Sequence, residues 1–374
     1  MDAEVILISG LALPFHKVAS WTNMYGYLLE KKKHPFNYII CPEPEVKSPH
    51  IKYQFLRKVS VFDKVKNKLP SQSSHGNYIE AIDKIIEPNK KYIIQIIDNS
   101  GIVIPIDRYL NEKHNRADFY IQYYFQGFAP IVSRKKGKSF LYAIDEFFFL
   151  SHLSYKAYLE FYDDCPFKAR ILYNAVELNK FYTVDENERN SLRTNLDIEK
   201  DDILFMWCSQ DRPKKGLHIA LEAFEKVHSK NKNTKLIVVG INRAINQNGV
   251  INIGRVPNIE LAKYYQMSDI YLFPTLWKEG FGIVLAEAMH CGCYIIASEQ
   301  GSVKEVLGNG KYGVLIEYPN LVNEWVIAMQ NAIEEISQKG NIFRDKVPKD
   351  LYSLDKWCEQ MNAIVHEAKQ KLKD

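Results

Sequence analysis

The stretch KEGFGIVLAEAMHCG, residues 278–292, holds two glutamates, Glu279 and Glu287, with seven residues between them and two glycines, Gly280 and Gly282, just after the first. The apolar run DIYLFP (269–274) before it predicts a strand, and IVLAEAMHCG predicts a helix that ends at Gly292. Between them lies a strand-to-helix loop. Gly280 and Gly282 would let that loop turn tightly and let a ligand approach without a Cβ in the way. The amides of Phe281, Gly282 and Ile283 then open a helix, where unpaired N–H groups and the helix dipole favour an anion. Glu287 would lie roughly 6–7 Å further along, at about 1.5 Å per residue. A carboxylate, an anion site and a second carboxylate suit one extended ligand, with hydroxyl-rich ends and a diphosphate between. That describes a nucleotide-sugar.

The elements that must position these groups are legible along the whole chain. Its 374 residues exceed the usual size of one domain, and 46% hydrophobic with 25% charged residues is ordinary globular composition. Apolar runs alternate with helical segments, the pattern of parallel α/β sheets covered on both faces. In the first half the predicted strands are 4–9, 37–41, 91–97, 119–124, 146–150 and 170–173. In the second half they are 203–209, 235–240, 250–254, 269–274 and 293–298. The polar segment 174–202 lacks a strand pattern and is read as a linker, with the domain boundary near residue 182. This gives an N-terminal domain 1–182, a C-terminal domain 183–353 and a final amphipathic helix 354–374 marked by Trp357, Met361, Ile364, Val365 and Leu372. Two doubly wound sheets facing a cleft would bind ligands at their strand carboxyl ends.

Charge and special residues narrow the function classes. Residues 1–182 carry 25 Lys+Arg against 19 Asp+Glu (+6), and residues 183–374 carry 24 against 26 (−2). In 58–69, Lys58, Lys64, Lys66 and Lys68 are interleaved with Val59, Val61, Phe62, Val65 and Leu69, which reads as an ordinary solvated helix face or a basic interfacial helix at a membrane. No recognised module points to nucleic acid. No apolar run reaches the roughly 18 residues of a membrane span, and the acidic start MDAEVILIS reads as a buried strand, so a cytoplasmic protein is expected, with peripheral contact on the inner face of the membrane as an option. The six cysteines form no CxxC pair, and no dense ligand spacing suggests a metal. GFGIVLAEA lacks the third glycine of a dinucleotide fingerprint, which argues against NAD.

The 278–292 segment resembles the E-x7-E donor motif of the family-four retaining glycosyltransferases. Three further segments resemble that family in its order: YNAVELNKF (173–181) through Asn174, Val176 and Phe181; EQGSVKEVL (299–307) through Gly301 and Glu305; and the glycine loop GNGKYGVLIE (308–317). The resemblance covers most of 170–318. It implies the GT-B fold, two Rossmann-like domains, with a C-terminal helix that could cross back to the first. It also implies Glu279 beside the donor sugar, Gly280, Phe281, Gly282 and Ile283 around sugar and phosphate oxygens, and Glu287 on the ribose hydroxyls. Val256, with Pro257 after it, falls where the family's base-binding loop lies. Lys215 and Gly216 match the second half of the family's pyrophosphate clamp.

Two departures stand out. Where the family has an arginine in the clamp this chain has Gln210, and Arg212 two residues later is expected to supply the charge through bidentate geometry. Where the family often has a histidine near the transferred sugar, FYIQYYFQGF offers Gln126, which hydrogen-bonds but does not titrate. In the loop SGLALPFHK (9–17), Gly10 would allow close approach of an acceptor, and His16 or Lys17 would meet acceptor or phosphates. The expectation is a retaining, metal-independent glycosyltransferase that needs no cofactor. It would move a sugar from a UDP- or GDP-sugar to a saccharide or lipid-linked acceptor in bacterial surface polysaccharide assembly. The alternative is a non-catalytic nucleotide-sugar-binding subunit that stabilises a partner transferase.

Overall fold

The computed structural model describes residues 2–14, 20–57 and 76–373. The chain divides into two compact units, residues 1–174 with 355–374, and residues 175–354.

The first unit is built on seven parallel strands in the order β3-β2-β1-β4-β5-β6-β7. They are β1 (Glu4–Ser9), β2 (Tyr38–Cys41), β3 (Lys52–Phe55), β4 (Tyr92–Ile97), β5 (Phe119–Tyr124), β6 (Glu146–Phe149) and β7 (Lys168–Ile171). Ile6, Ile94, Ile121 and Phe147 pack one face against helices that contribute Val103, Ile106, Phe140 and Tyr158. Each such side chain contributes about 1.5–3 kcal/mol on full burial. Strand β3 is absent from the sequence reading. Its four residues, Lys-Tyr-Gln-Phe, are only partly covered at the sheet edge, so the composition lacks the apolar signature of a central strand.

The strands are also less uniformly apolar than expected. Gln95, Gln122, Glu146 and Lys168 stand opposite one another on β4, β5, β6 and β7. Gln95 Nε2 donates to Gln122 Oε1 (3.0 Å), Gln122 Nε2 to Glu146 Oε2 (2.8 Å), and Arg170 Nε to Glu146 Oε1 (2.9 Å). The helix Leu354–Lys373 lies over this row: Met361 Sδ accepts from Gln95, and Glu367 accepts from Arg170 at 2.6 Å. Its apolar face, Trp357, Met361, Ile364, Val365 and Leu372, is buried as the helical spacing predicts.

The second unit carries six parallel strands in the order β10-β9-β8-β11-β12-β13: β8 (Ile203–Cys208), β9 (Thr234–Val239), β10 (Val250–Gly254), β11 (Ile270–Phe273), β12 (Tyr294–Ser298) and β13 (Val314–Ile316). Strand β13, three residues inside what reads as a glycine loop, is too short to announce itself. Phe205, Leu236, Ile270, Leu272 and Ile296 pack against Phe224, Trp325 and Met329. The segment 174–202 is not a featureless linker. It contains the helix Glu186–Thr194, capped by Asp185 accepting from the Glu188 amide at 2.9 Å, with Glu186 and Glu188 favourably placed in its first turn. Arg193 is buried and donates to Asp269 Oδ2 (2.6 Å) and to the carbonyls of Met267 and Asp202. A polar sequence hides this because the buried side chain is an arginine, held by hydrogen bonds to backbone carbonyls and to Asp269.

Candidate functional site

In each sheet the chain winds outward in one direction from its first strand, then returns to wind in the other. The reversals lie between β1 and β4 in the first unit and between β8 and β11 in the second. At such a switch point the loops beyond the strand carboxyl ends part and leave room for a ligand.

In the second unit the loop after β8 brings Lys215 and the loop after β11 brings Glu279. Lys215 Nζ donates to Glu279 Oε1 at 2.5 Å, and the Thr275 hydroxyl donates to the same oxygen at 2.9 Å. Lys215 ends the short 3₁₀ turn Pro213–Lys215. Gly216 follows at φ 71° and opens the helix Leu217–Lys230. The Lys215 carbonyl accepts from Trp207 Nε1 at 3.2 Å. Glu279 is held by its backbone as well: it pairs with Gly301 beyond β12, and the Ser302 amide donates to its carbonyl at 2.9 Å. The loops are tied again where the Leu276 amide donates to the Lys214 carbonyl at 2.8 Å and Lys214 Nζ sits 4.0 Å over the Trp277 ring. Thr275 is not among the residues expected from the sequence to form the site. A threonine four residues before a site glutamate, beyond a strand end, is the signal that could have found it.

Gly280 follows Glu279 in the same loop, and Gly282, at φ 77°, opens the helix Ile283–His290. Phe281 is buried edge-on against Tyr352. The amides at Ile283 and Val284 lie at the start of the helix, where no intrahelical carbonyl can reach them. Glu287 lies in the helix Ile283–His290, with its side chain largely covered. It is 6% exposed, and the Tyr265 hydroxyl donates to its Oε2 at 3.3 Å. Burial pushes its carboxyl up to about 7, against the pull of the Lys180 charge and the Tyr265 hydrogen bond. Lys180 is itself half-buried, donates to Asn258 Oδ1, and is held below the usual lysine range by the same desolvation. Lys180 lies in the 173–181 segment, where no local pattern sets it apart from an ordinary surface lysine.

Gln210 and Arg212 are exposed, and Val256 is half-buried in the loop after β10. Arg212 has no carboxylate partner among the described residues; its backbone accepts from the Lys215 amide at 2.8 Å. Among the described residues no group of three or more His, Cys, Asp or Glu is placed to hold a metal ion, and no helix is long and apolar enough to cross a membrane.

In the first unit Gly10 follows β1 and Asp98 follows β4, at the switch point. Asp98 has φ 47°, is pushed above the usual carboxylate range by burial, and accepts from the Gln126 amide at 3.1 Å. Gln126 Oε1 accepts from Asn174 Nδ2 at 3.1 Å, while its buried Nε2 has no partner among the described residues. His16, Lys17 and the basic segment 58–69 lie outside the described residues.

Residues 188–342 match the family model of the glycosyl transferases group 1. A lipopolysaccharide 1,2-N-acetylglucosaminetransferase of Salmonella typhimurium is 25% identical over 156 residues, 37% of this chain and 41% of that protein. An uncharacterized 41.2 kDa protein in the cps region of Klebsiella pneumoniae is 25% identical over 294 residues, 75% of this chain and 78% of that protein. Among solved structures, sucrose-phosphate synthase from Thermosynechococcus elongatus superposes with a TM-score of 0.75 at 18% identity, over 98% of this chain and 99% of that one. Anabaena Alr3699/HepE in complex with UDP superposes with a TM-score of 0.73 at 15% identity, over 97% and 100%. The architecture is therefore GT-B-like, with two Rossmann-like α/β units. The family match lies within the second unit, and the structural likeness extends over both.

Proposed function

We propose that this protein transfers a sugar from a nucleoside-diphosphate sugar to an acceptor, with the second unit holding the donor. The observation that carries the reading is the joining of Lys215, Thr275 and Glu279 at the β8/β11 switch point, one turn of loop ahead of the helix that starts at Ile283. A fixed cation and a helix N-terminus suit a diphosphate, and a carboxylate beside them suits sugar hydroxyls. Charge developing on the departing diphosphate would be stabilised by Lys215, by Arg212 and by the helix amides.

The finer reading is a retaining, metal-independent transfer. In it the departing phosphate takes the acceptor proton, so no protein base is required. Its support is the E-x7-E spacing together with a phosphate site built from cations and amides, in a sequence without any Asp-x-Asp. UDP is favoured by the Anabaena likeness, and a saccharide or lipid-linked acceptor of bacterial surface polysaccharide by the Salmonella and Klebsiella relatives. The acceptor would contact the carboxyl edge of the first unit near Gly10 and Gln126. That unit's positive charge suits peripheral contact with an anionic membrane from the cytoplasm.

The direct test is incubation of the purified chain with UDP-, GDP- and ADP-sugars, following release of nucleoside diphosphate. One donor should be turned over slowly even without acceptor, and turnover should persist in excess EDTA. Activity lost with EDTA and restored by magnesium or manganese would overturn the metal-independent assignment. Binding without any turnover, even with an acceptor supplied, would favour the non-catalytic subunit, for which Gln210 in place of an arginine is the specific observation.

A further inference from the structure

The Lys215 ammonium is already spent. Its partner Glu279 Oε1 lies 2.5 Å away, and the two side chains are only 22% and 13% exposed, so the pair is far less screened than a surface ion pair. Any diphosphate that is to be held by Lys215 must take it from Glu279 and leave that carboxylate beside a new anion. Like charges at close range in a partly desolvated site are costly.

The two partners differ in how firmly they are held. Glu279 is pinned at three points: the parallel pairing with Gly301, the Ser302 amide on its carbonyl and the Thr275 hydroxyl on the same Oε1 that Lys215 uses. A Cβ at Gly301 would lie 2.5 Å from the Glu279 amide nitrogen and carbonyl oxygen, so the two backbones lie in direct contact with no side chain between them. Lys215 has a fixed backbone but a long, rotatable stem, its carbonyl bound by Trp207 and the following Gly216 seated against Pro274. Charge exchange therefore requires rotation of the lysine side chain alone. Glu279 stays where it is and needs another set of donors once the ammonium leaves.

We infer that Glu279 is a discriminating residue: it withholds Lys215 from a bare nucleoside diphosphate and releases it to a nucleoside-diphosphate sugar, whose hydroxyls replace the ammonium as hydrogen-bond donors to the carboxylate. A bare diphosphate pulls Lys215 away and leaves Glu279 a carboxylate short of one donor, facing phosphate. A sugar-bearing donor makes good that loss. Specificity here is a difference in affinity, built as much by the penalty on the wrong ligand as by contacts to the right one. The consequence is weak retention of the product nucleoside diphosphate, which speeds release after transfer. This inference rests on the proposed donor site, and its test separates the two.

The test is calorimetric titration of the full chain with UDP, GDP and ADP and with the corresponding glucose nucleotides, in wild type, Glu279→Gln, Glu279→Ala, Lys215→Met and the Glu279→Gln/Lys215→Met double variant. Glu279→Gln keeps an acceptor for Thr275 while removing the charge. For the nucleotide that binds wild type, it should bind the bare diphosphate about ten-fold more tightly, the scale of one close charge-pair coupling, and should lose the preference for the sugar-bearing form. Lys215→Met should weaken the diphosphate, and in the double variant the gain from Glu279→Gln should be several-fold smaller than in wild type, because no ammonium remains to be freed and only the repulsion between carboxylate and phosphate is relieved. Glu279→Ala should repeat the direction if the glutamine variant does not fold. Diphosphate affinity unchanged or lowered in both Glu279 variants, with Lys215→Met still weakening it, would overturn the inference and leave the donor site standing. No binding of either the diphosphates or the glucose nucleotides by wild type, or binding indifferent to Lys215, would overturn both.

Discussion

Gly216 abuts Pro274 so closely that a Cβ at position 216 would lie 1.7 Å from the Pro274 carbonyl oxygen. The contact joins the loop after β8 to the end of β11, the two loops that carry Lys215 and Glu279. Gly216→Ala is therefore expected to force the loops apart as well as to strain a backbone at φ 71°. The left-handed conformation alone costs a non-glycine residue about 1–3 kcal/mol. Urea titration should show at least that loss. A folded variant should also lose nucleoside-diphosphate affinity; unchanged stability and affinity would remove the contact from the site's architecture.

Lys214 and Lys215 are adjacent and chemically identical, yet they should behave differently. Lys214 lies over Trp277, a ring 55% exposed, whereas Lys215 points to Glu279. Lys215→Ala should weaken diphosphate binding by about ten-fold or more, as expected for a charge-assisted hydrogen bond worth about 1.5–3 kcal/mol. Lys214→Ala should have a several-fold smaller effect. Equal effects in a binding assay would mean that the run is a solvated basic loop.

Glu287 makes stability depend on pH in an unusual direction. Its carboxyl rises from an ordinary 4.5 to about 7, so between those values the folded protein holds a proton that the unfolded chain has released. The contribution of Glu287 to stability should therefore be full below about pH 4.5, decline as pH rises through the window, and level off above about 7. Glu287→Gln removes the penalty of burying the charge. It should raise stability at pH 8 by on the order of 3 kcal/mol, at about 1.4 kcal/mol per pH unit, and change little at pH 4.5. Denaturant midpoints at the two pH values check this. If Glu287 also accepts ribose hydroxyls, the same variant should bind nucleotide less tightly at pH 8 while being more stable.

The buried end of the polar row in the first unit should be worth far more than its exposed end. Glu146 is 1% exposed and accepts from Gln122 and Arg170. Glu146→Ala leaves the buried Gln122 Nε2 without its acceptor and takes from Arg170 one of its two carboxylates, a loss of about 1–3 kcal/mol for each donor left unpaired. Glu367 meets the same Arg170 at the surface, and Glu367→Ala should cost no more than about 1 kcal/mol. Thermal unfolding of the two variants separates these outcomes.

Much of this protein is local in its sequence. Apolar runs such as EVILIS and FYIQYY mark strands because parallel sheets covered on both faces leave no room for alternation. The spacing of Trp357, Met361, Ile364 and Val365 marks one buried face of a helix, and the glycines at 280 and 282 mark a loop ahead of another. These features depend on neighbours a few residues away, and a chain displays them before it folds. Pairings do not. That Lys215 meets Glu279 across 64 residues, that Thr275 shares the same oxygen, and that Arg193 and Glu146 are buried follow from strand order, with β8 beside β11 and β5 beside β6. Only the assembled sheet sets which polar groups lose water together. Hence the sequence by itself determined most of the elements and the residue types of the proposed site, while the tertiary structure decided the short edge strands, which charges are paired, which are buried and which carboxyl is pushed to titrate near neutrality.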